Sequence, residues 1–411
     1  MQKVQDATLN SPTATNRTTD LFEKCYRYDR VDAAEEAGIF PFFLPLSAET
    51  STTAVVEGRR VLVFGSNNYL GLTHDPRVRQ AAADALDQFG PGCTGSRLLN
   101  GTFELHATME RRLATFLRRE AAVVFTTGFQ TNLGVISALV GRHDYVLVDS
   151  GAHASIRDGC RLSHGTVVKF RHNDMTDLTR LLDRVPSNRG VLIVVDGVHS
   201  MEGDLANLPD IVEIKRRYGA RLLVDDAHAL GVIGEGGRGT AEHFGLEDEV
   251  DLLTGTFSKS LASVWGYLAG DARVVRYVQH TARSFLFSAS TPPPAVAAAL
   301  AALEIVEQEP ERRVQLRENA ARMRAGLQAL GFDTGMSETP IIPIIVGDEM
   351  TMGVFWYALL DTGVYTNAVA APAVPMDRAM IRTSCSAAHT PEQVEAALRG
   401  IEQAGRRMGL V

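Results

Sequence analysis

Short apolar runs, each closing on a small or polar residue and each followed by a helical stretch, set the rhythm of the chain from about residue 120 onward. The runs are Ala121–Phe125, Tyr145–Val148, Val167–Phe170, Val191–Val195, Arg221–Val224 and Leu252–Thr254. Strands alternating with helices predict an α/β fold, a mainly parallel sheet covered on both faces. Before this region the pattern predicts a lead-in helix over Leu21–Ala37 and an extended segment over Phe40–Leu46. A hairpin over Val55–Phe64 follows, turning at Glu57-Gly58, then helices over Pro76–Phe89 and Phe103–Leu117. Asp75 is placed to cap the first of these helices. After Pro292-Pro293-Pro294 come long Ala/Glu/Arg helices to about Leu330, then strands Ile341–Val346 and Ala379–Thr383. A last helix covers Pro391–Ala404, with Gly405 placed to end it. The chain thus divides into a disordered tail (1–20), a helix-and-hairpin segment (21–65), a large α/β domain (66–294) and a smaller α+β domain (295–411).

Composition narrows the function classes. Of 411 residues, 49 are Asp or Glu and 41 are Lys or Arg, so the net charge is -8 and general attraction to nucleic acid is excluded. The cysteines Cys25, Cys93, Cys160 and Cys385 are far apart and form no C-x-x-C pair, which argues against a zinc or disulfide framework; no metal is expected. The first twenty residues are polar, without the apolar core of a signal peptide. The apolar stretch Ala295–Val306 is too short to span a bilayer. A cytoplasmic protein with at most peripheral membrane contact is the expectation.

In open α/β sheets ligands bind beyond the carboxyl ends of the strands. Five strand ends here carry Thr127-Gly128, Asp149 with His153, Asp196 with Ser200, Asp225 with His228, and Gly255-Thr256-Phe257-Ser258-Lys259. Turn chemistry explains one or two such clusters; five point to one shared site. The Thr127-Gly128 turn opens a helix whose free N–H groups suit a phosphate. No G-x-x-x-x-G-K-[ST] is present, and Gly234–Gly239 fits G-x-G-x-x-G without directly following a strand. Lys259 sits among Ser, Thr and small apolar residues, where a desolvated amine suits Schiff-base chemistry. A phosphate-bearing aldehyde cofactor, pyridoxal 5'-phosphate (PLP), fits Lys259 with Thr256 and Ser258, and Asp225 then serves as the acidic partner of the pyridine nitrogen. Asp226 is expected to point the other way, toward helix or solvent.

The residues also resemble a known family, the α-oxoamine synthases, PLP enzymes of fold type I. The likeness rests on Gly65–Gly71 (GSNNYLG), Gly95-Ser96-Arg97 with Asn100-Gly101-Thr102, Thr127-Gly128-Phe129, and His153-Ala154-Ser155 with Asp158-Gly159. Further on it rests on Val224–His228 (VDDAH), Gly255–Ser260 (GTFSKS) and Ile381-Arg382, in order from about Leu21 to Val411. The resemblance implies a seven-stranded sheet and a homodimer with shared active sites. It implies that Lys259 holds the cofactor and moves protons, Asp225 pairs with its ring nitrogen, His153 stacks on the ring and His228 bonds its O3'. Thr127, Gly128, Phe129, Ser200, Thr256 and Ser258 would complete the cofactor site, with Ser290 and Thr291 reaching the phosphate from the second subunit. Asn67, Asn68, Ser96 and Arg382 would bind substrate, Arg382 through the carboxylate. The implied reaction is a decarboxylative Claisen-type condensation of an amino acid (serine before glycine or alanine) with an acyl-CoA or acyl carrier thioester. A different fold type I reaction, amino transfer or C–C lysis, is the alternative. A chemically inert partner subunit is a third, opposed by the presence of Lys259, Asp225 and His153.

Five positions depart from the family pattern, one of them Thr94, which replaces an Asn found in the serine-using members. Ala262 and Trp265 stand at usual Gly positions, and Trp265 either packs or narrows a channel. His199 stands where Tyr or Phe is common. Ala370, in the loop Tyr365–Pro375, replaces an Arg found in the serine-using members.

Overall fold

The computed structural model describes residues 20–411. The predicted tail, apart from Asp20, lies outside the described residues.

Among the described residues the strands are, in chain order, β1 (Leu46–Ala48), β2 (Thr53–Val56), β3 (Arg59–Val63), β4 (Ala121–Phe125), β5 (Tyr145–Asp149), β6 (Thr166–Phe170), β7 (Val191–Asp196), β8 (Arg221–Asp225), β9 (Leu252–Thr256), β10 (Gly266–Gly270), β11 (Ile341–Gly347), β12 (Val364–Tyr365), β13 (Asn367–Val369) and β14 (Ala379–Ser384). Seven form one sheet in the order β4-β10-β9-β8-β7-β5-β6. The predicted runs are all there. Only β10 runs against its neighbours, pairing antiparallel with β4 and β9. Its sequence, GYLAG, lacks the β-branched signature of a strand. It is glycine at Gly266 because a Cβ there would lie 2.5 Å from the Gly128 Cα. That close approach seats the helix Gly128–Leu139 against the sheet.

Alternate residues of the central strands serve opposite faces. Val146, Val148, Leu192 and Val194 join one core cluster. Leu147, Ile193 and Val195 join the other. Helices cover both, so the parallel strands read as unbroken apolar runs. The polar residues at their carboxyl ends are left at one rim.

The hairpin β2–β3 extends through β12 into a four-stranded sheet, β1-β2-β3-β12, and β11-β14-β13 form a third. The predicted lead-in helix is two, Glu23–Tyr26 and Arg30–Glu36; no residue of the first is buried, so packing does not support a longer run. Asp75 caps Pro76–Phe89 as expected, accepting from the Arg77 N–H. The last helix runs on to Met408 and ends at Gly409, which is left-handed. Gly405 lies inside it, where a Cβ would meet the Phe332 ring at 2.6 Å. Trp265 is fully buried. Its ring lies parallel to His106 at 5.5 Å and to Phe257 at 5.9 Å, so it packs.

Candidate active site

Asp225 ends β8, and the first turn beyond the strand fixes it: the Ala227 N–H donates to Oδ1 at 3.0 Å. Oδ2 accepts from Asn132 Nδ2 at 2.6 Å. Asn132 lies on the helix Gly128–Leu139, one turn beyond Gly128. Its amide also donates to Ser155 Oγ at 2.9 Å, while its own oxygen accepts from Thr254 at 3.1 Å. Ser155 Oγ in turn contacts His153 Nδ1 at 2.7 Å. Asp225 and His153 are therefore held through a single amide. The next residue, Asp226, does point away, but into the interior: its carboxylate accepts from Thr240 N and Oγ1, and burial pushes its pKa up to about 7. The solvent-facing alternative is thereby corrected.

His153 caps the helix Ala154–Leu162, with Nδ1 accepting from the Ser155 N–H. An accepting Nδ1 leaves the ring proton on Nε2. Burial, the largest influence, lowers its pKa and keeps it neutral. Its own N–H donates to Asp196 Oδ2 at 2.9 Å; burial and the nearby Asp225 raise the Asp196 pKa well above the carboxylate range. The Phe129 ring meets His153 edge-on at 6.2 Å.

Lys259 follows β9. Burial pushes its amine down to about 8, with Asp225 opposing the shift and Arg382 adding to it. An amine near neutrality is the form needed for nucleophilic and proton-transfer work. His228 Nδ1 and the Tyr69 hydroxyl are 2.7 Å apart, and burial holds His228 neutral. Arg382, on β14, is buried, and its hydrogen-bond partners are uncharged. Nε donates to the Ser200 carbonyl (2.6 Å), Nη1 to Ser384 Oγ (2.9 Å) and Nη2 to Asn67 Oδ1 (3.0 Å). A buried guanidinium so oriented suits an incoming carboxylate.

Asn67, His153, Ser200, His228, Lys259 and Arg382 line one cavity of about 1010 Å³. Its far wall is apolar, with Val31, Ile39, Phe40, Phe42 and Phe43 on one side and Val369, Ala370, Ala371, Pro372 and Ala373 on another. Thr127 caps the helix Gly128–Leu139, and the N–H groups of that helix's first turn, Gly128 and Phe129, have no intrahelical acceptor. The Thr256 hydroxyl donates to the Trp265 carbonyl and contacts Ser258 Oγ at 2.9 Å, which leaves Ser258 as the exposed hydroxyl. Those donors fit a phosphate, Lys259 an aldehyde and Asp225 a protonated ring nitrogen, so the residues present fit PLP.

Other predicted residues are elsewhere within the chain. Asn68 donates to Thr73 Oγ1 and is not in the cavity wall, and neither is Ser96. Ser290 Oγ and the Thr291 carbonyl both contact His106 Nε2, away from Lys259 of the same chain. The Gly234–Gly239 loop is filled by Glu242, whose carboxylate accepts from Gly236 and Arg238 N–H groups. Sequence reasoning gave no role to Asn132, Tyr69 or Ser155. For Asn132, the signal was a buried-face amide in a mostly apolar helix, four residues after Gly128.

A lysine beside strand-end carboxylates, with a helix N-terminus below it on a seven-stranded sheet, defines a PLP-dependent enzyme of fold type I. The family model "aminotransferase class I and II" matches residues 59–401. The chain belongs to that family and, within it, to the α-oxoamine synthases, with PLP as cofactor. It is 50% identical over 381 residues to a serine palmitoyltransferase of Sphingobacterium spiritivorum, covering 92% of this chain and 95% of that one. It is 44% identical over 384 residues to an 8-amino-7-oxononanoate synthase of Symbiobacterium thermophilum, covering 93% and 98%. The solved Sphingomonas wittichii serine palmitoyltransferase superposes with a TM-score of 0.93 at 38% identity, over 96% of this chain and 100% of that one. A serine palmitoyltransferase solved with PLP as its internal aldimine gives the same score and coverage at 38% identity.

Proposed function

We propose that the chain condenses serine with a long-chain acyl thioester, releasing CO2 and the free thiol and giving a 3-keto amino product. The observation that carries this is the shape and charge of the cavity: a polar end with Lys259, His153 and Arg382 opens into a long apolar end. Bound PLP supplies the electron sink for charge developing at the amino acid Cα. Arg382 binds the amino-acid carboxylate, aimed by Asn67, Ser200 and Ser384. Lys259, its pKa lowered by burial to about 8, takes the proton from Cα and returns one at the end. Asp225, fixed by Asn132 and Ala227, would face the ring nitrogen. His153 would cover the ring face, with its Nε2–H turned to orient the substrate. His228 with Tyr69 would serve O3', while Thr127, Gly128, Phe129 and Ser258 would hold the phosphate. The apolar walls exclude water while charge is on carbon.

The 8-amino-7-oxononanoate synthase relatives support a second reading. Among the described residues, Lys259 and Arg382 are the only Lys or Arg in the cavity wall, and Ala370 adds none. An acyl chain with an anionic end would find no partner along the apolar walls, whereas a plain alkyl chain is matched. Serine, alanine and glycine, each tested against short and long acyl-CoA and acyl carrier thioesters for thiol release, decide it. Release with alanine alone, or only with short or dicarboxylic acyl groups, overturns the serine reading.

The homodimer belongs to the same proposal. Leu98, Leu99 and Phe287 are exposed, beside the Ser96–Ala289 bridge that carries Ser290 and Thr291. Exposed apolar side chains flanking a predicted shared site are what a second copy would cover. Sedimentation of the PLP-loaded chain tests this; a monomer that is fully active contradicts it. No helix among the described residues is long and apolar enough to cross a membrane. A cytoplasmic location is proposed with it.

A further inference from the structure

His199, the departure noted next to Ser200, is 3% exposed, and neither of its ring nitrogens has a hydrogen-bond partner. Buried polar atoms are almost always partnered. Its ring packs edge-on against His172, with centroids 4.3 Å apart. His172 bridges two carboxylates, contacting Asp149 Oδ1 through Nδ1 at 2.9 Å and Asp204 Oδ2 through Nε2 at 3.0 Å. Asp204 Oδ1, also buried, has no partner. One ligating atom from each of Asp149, His172 and His199 lies within 4.8 Å of the others.

We propose that Asp149, His172 and His199 form a binding site for one divalent transition-metal ion of the zinc class, with Asp204 holding the His172 ring from its other nitrogen. Both nitrogens of His172 can donate only if the ring is protonated. Asp149, Asp204 and that imidazolium together carry a net charge of about -1 in a mostly buried space. Exchanging the Nδ1 proton for a dication brings the cluster to neutrality, gives His199 the partner it lacks and leaves His172 Nε2–H donating to Asp204. Two imidazoles and a carboxylate suit Zn²⁺, Co²⁺ or Ni²⁺, whereas Mg²⁺ and Ca²⁺ prefer oxygen alone. His172 is one-third exposed and provides the way in.

The rest of the shell is built as metal sites usually are, with ligands held by further hydrogen bonds. Asp149 accepts from Gly151 N and Asn173 N, and Asp204 accepts from Asn173 Nδ2. The loop is closed by His199 N donating to the Asp204 carbonyl and Gly203 N donating to the His199 carbonyl. Because the Ser200 carbonyl in this loop receives Arg382 Nε, the ion would brace the loop that aims Arg382.

The test uses the tag-free, PLP-loaded chain, stripped with chelator, equilibrated with Zn²⁺ and dialysed. Metal is counted by mass spectrometry, and the melting temperature is measured with and without Zn²⁺. One ion per chain and a raised melting temperature are expected for wild type. His199→Phe, an aromatic ring of similar size, should retain no ion above background while keeping its cofactor absorbance. Asp149→Asn serves the same purpose if His199→Phe does not fold. PLP and the exposed Cys25 can bind metal too, but they are common to both proteins and cancel in the difference. Wild type retaining no ion, or both proteins retaining the same amount, overturns the proposal. Neither readout depends on which substrates the enzyme uses.

Discussion

Asn132→Leu removes one amide and keeps the volume nearly constant, so it isolates what that amide does. In the wild type its Nδ2 donates to Asp225 at 2.6 Å and to Ser155 at 2.9 Å, and its Oδ1 accepts from Thr254. Asp225 then keeps one protein donor, the Ala227 N–H. A hydrogen bond to a charged group contributes about 1.5–3 kcal/mol. If that energy holds Asp225 in the ionised, aimed state that the reaction needs, its loss costs about 10- to 150-fold in kcat/KM at 1.36 kcal/mol per decade. Ser155 also loses its link to Asn132, so His153 is less well oriented and kcat should fall more than KM rises. The assay is thiol release from serine and a long-chain acyl-CoA, with cofactor absorbance and melting temperature measured on the same preparation. A variant that holds PLP and retains kcat/KM within about threefold of wild type, well under the range for a charge-assisted bond, would refute the assignment of Asn132 as the residue that positions Asp225 and His153.

Trp265→Ala should cost about 3–5 kcal/mol of stability in urea denaturation, because the ring is fully buried between His106 and Phe257; unchanged stability with an altered acyl-length preference would restore the channel reading. Phe40→Ala removes an apolar wall and should cost long acyl chains about 1–2 kcal/mol, or a rise in KM of about 5- to 30-fold, with short chains unaffected; an equal effect at all lengths contradicts the proposed path. Burial pushes His389 and His106 down to about 4, so both stay neutral in the folded chain where the unfolded chain would already be protonated. Their contribution is complete above about pH 6.5 and is lost as pH falls toward 4, about 3 kcal/mol each at most. His389→Gln should flatten the fall of melting temperature across that window, and an unchanged slope would show that His389 is not its source.

The strand ends were legible because parallel strands buried on both faces must be apolar, and the polar residues beyond them stand out. That is how Lys259, Asp225, His153 and His228 could be singled out as candidates without coordinates. β10 was not legible: glycine at both ends, one of them required by the approach of the Gly128 helix, erases the β-branched signature. Asn132 was hidden because its partners lie 93 and 23 residues away. The helix end at Gly409 was misplaced to Gly405 since a glycine that packs against an aromatic ring and a glycine that caps look alike in one dimension. Asn68 and Ser96 share motifs with site residues, but their backbones turn them elsewhere. The His199 cluster joins residues 149, 172, 199 and 204, a spacing with no local pattern.

The most direct test of the central claim follows the fate of one substrate. PLP-loaded protein is given serine labelled at the carboxyl carbon together with a long-chain acyl-CoA, and labelled CO2 and free CoA are measured in parallel. The account predicts equal amounts of both, no turnover if either substrate is omitted, and a loss of about 10²- to 10⁴-fold or more in Lys259→Ala. Transfer of the amino group to a keto acid with no CoA released, or turnover unaffected by Lys259→Ala, would contradict it.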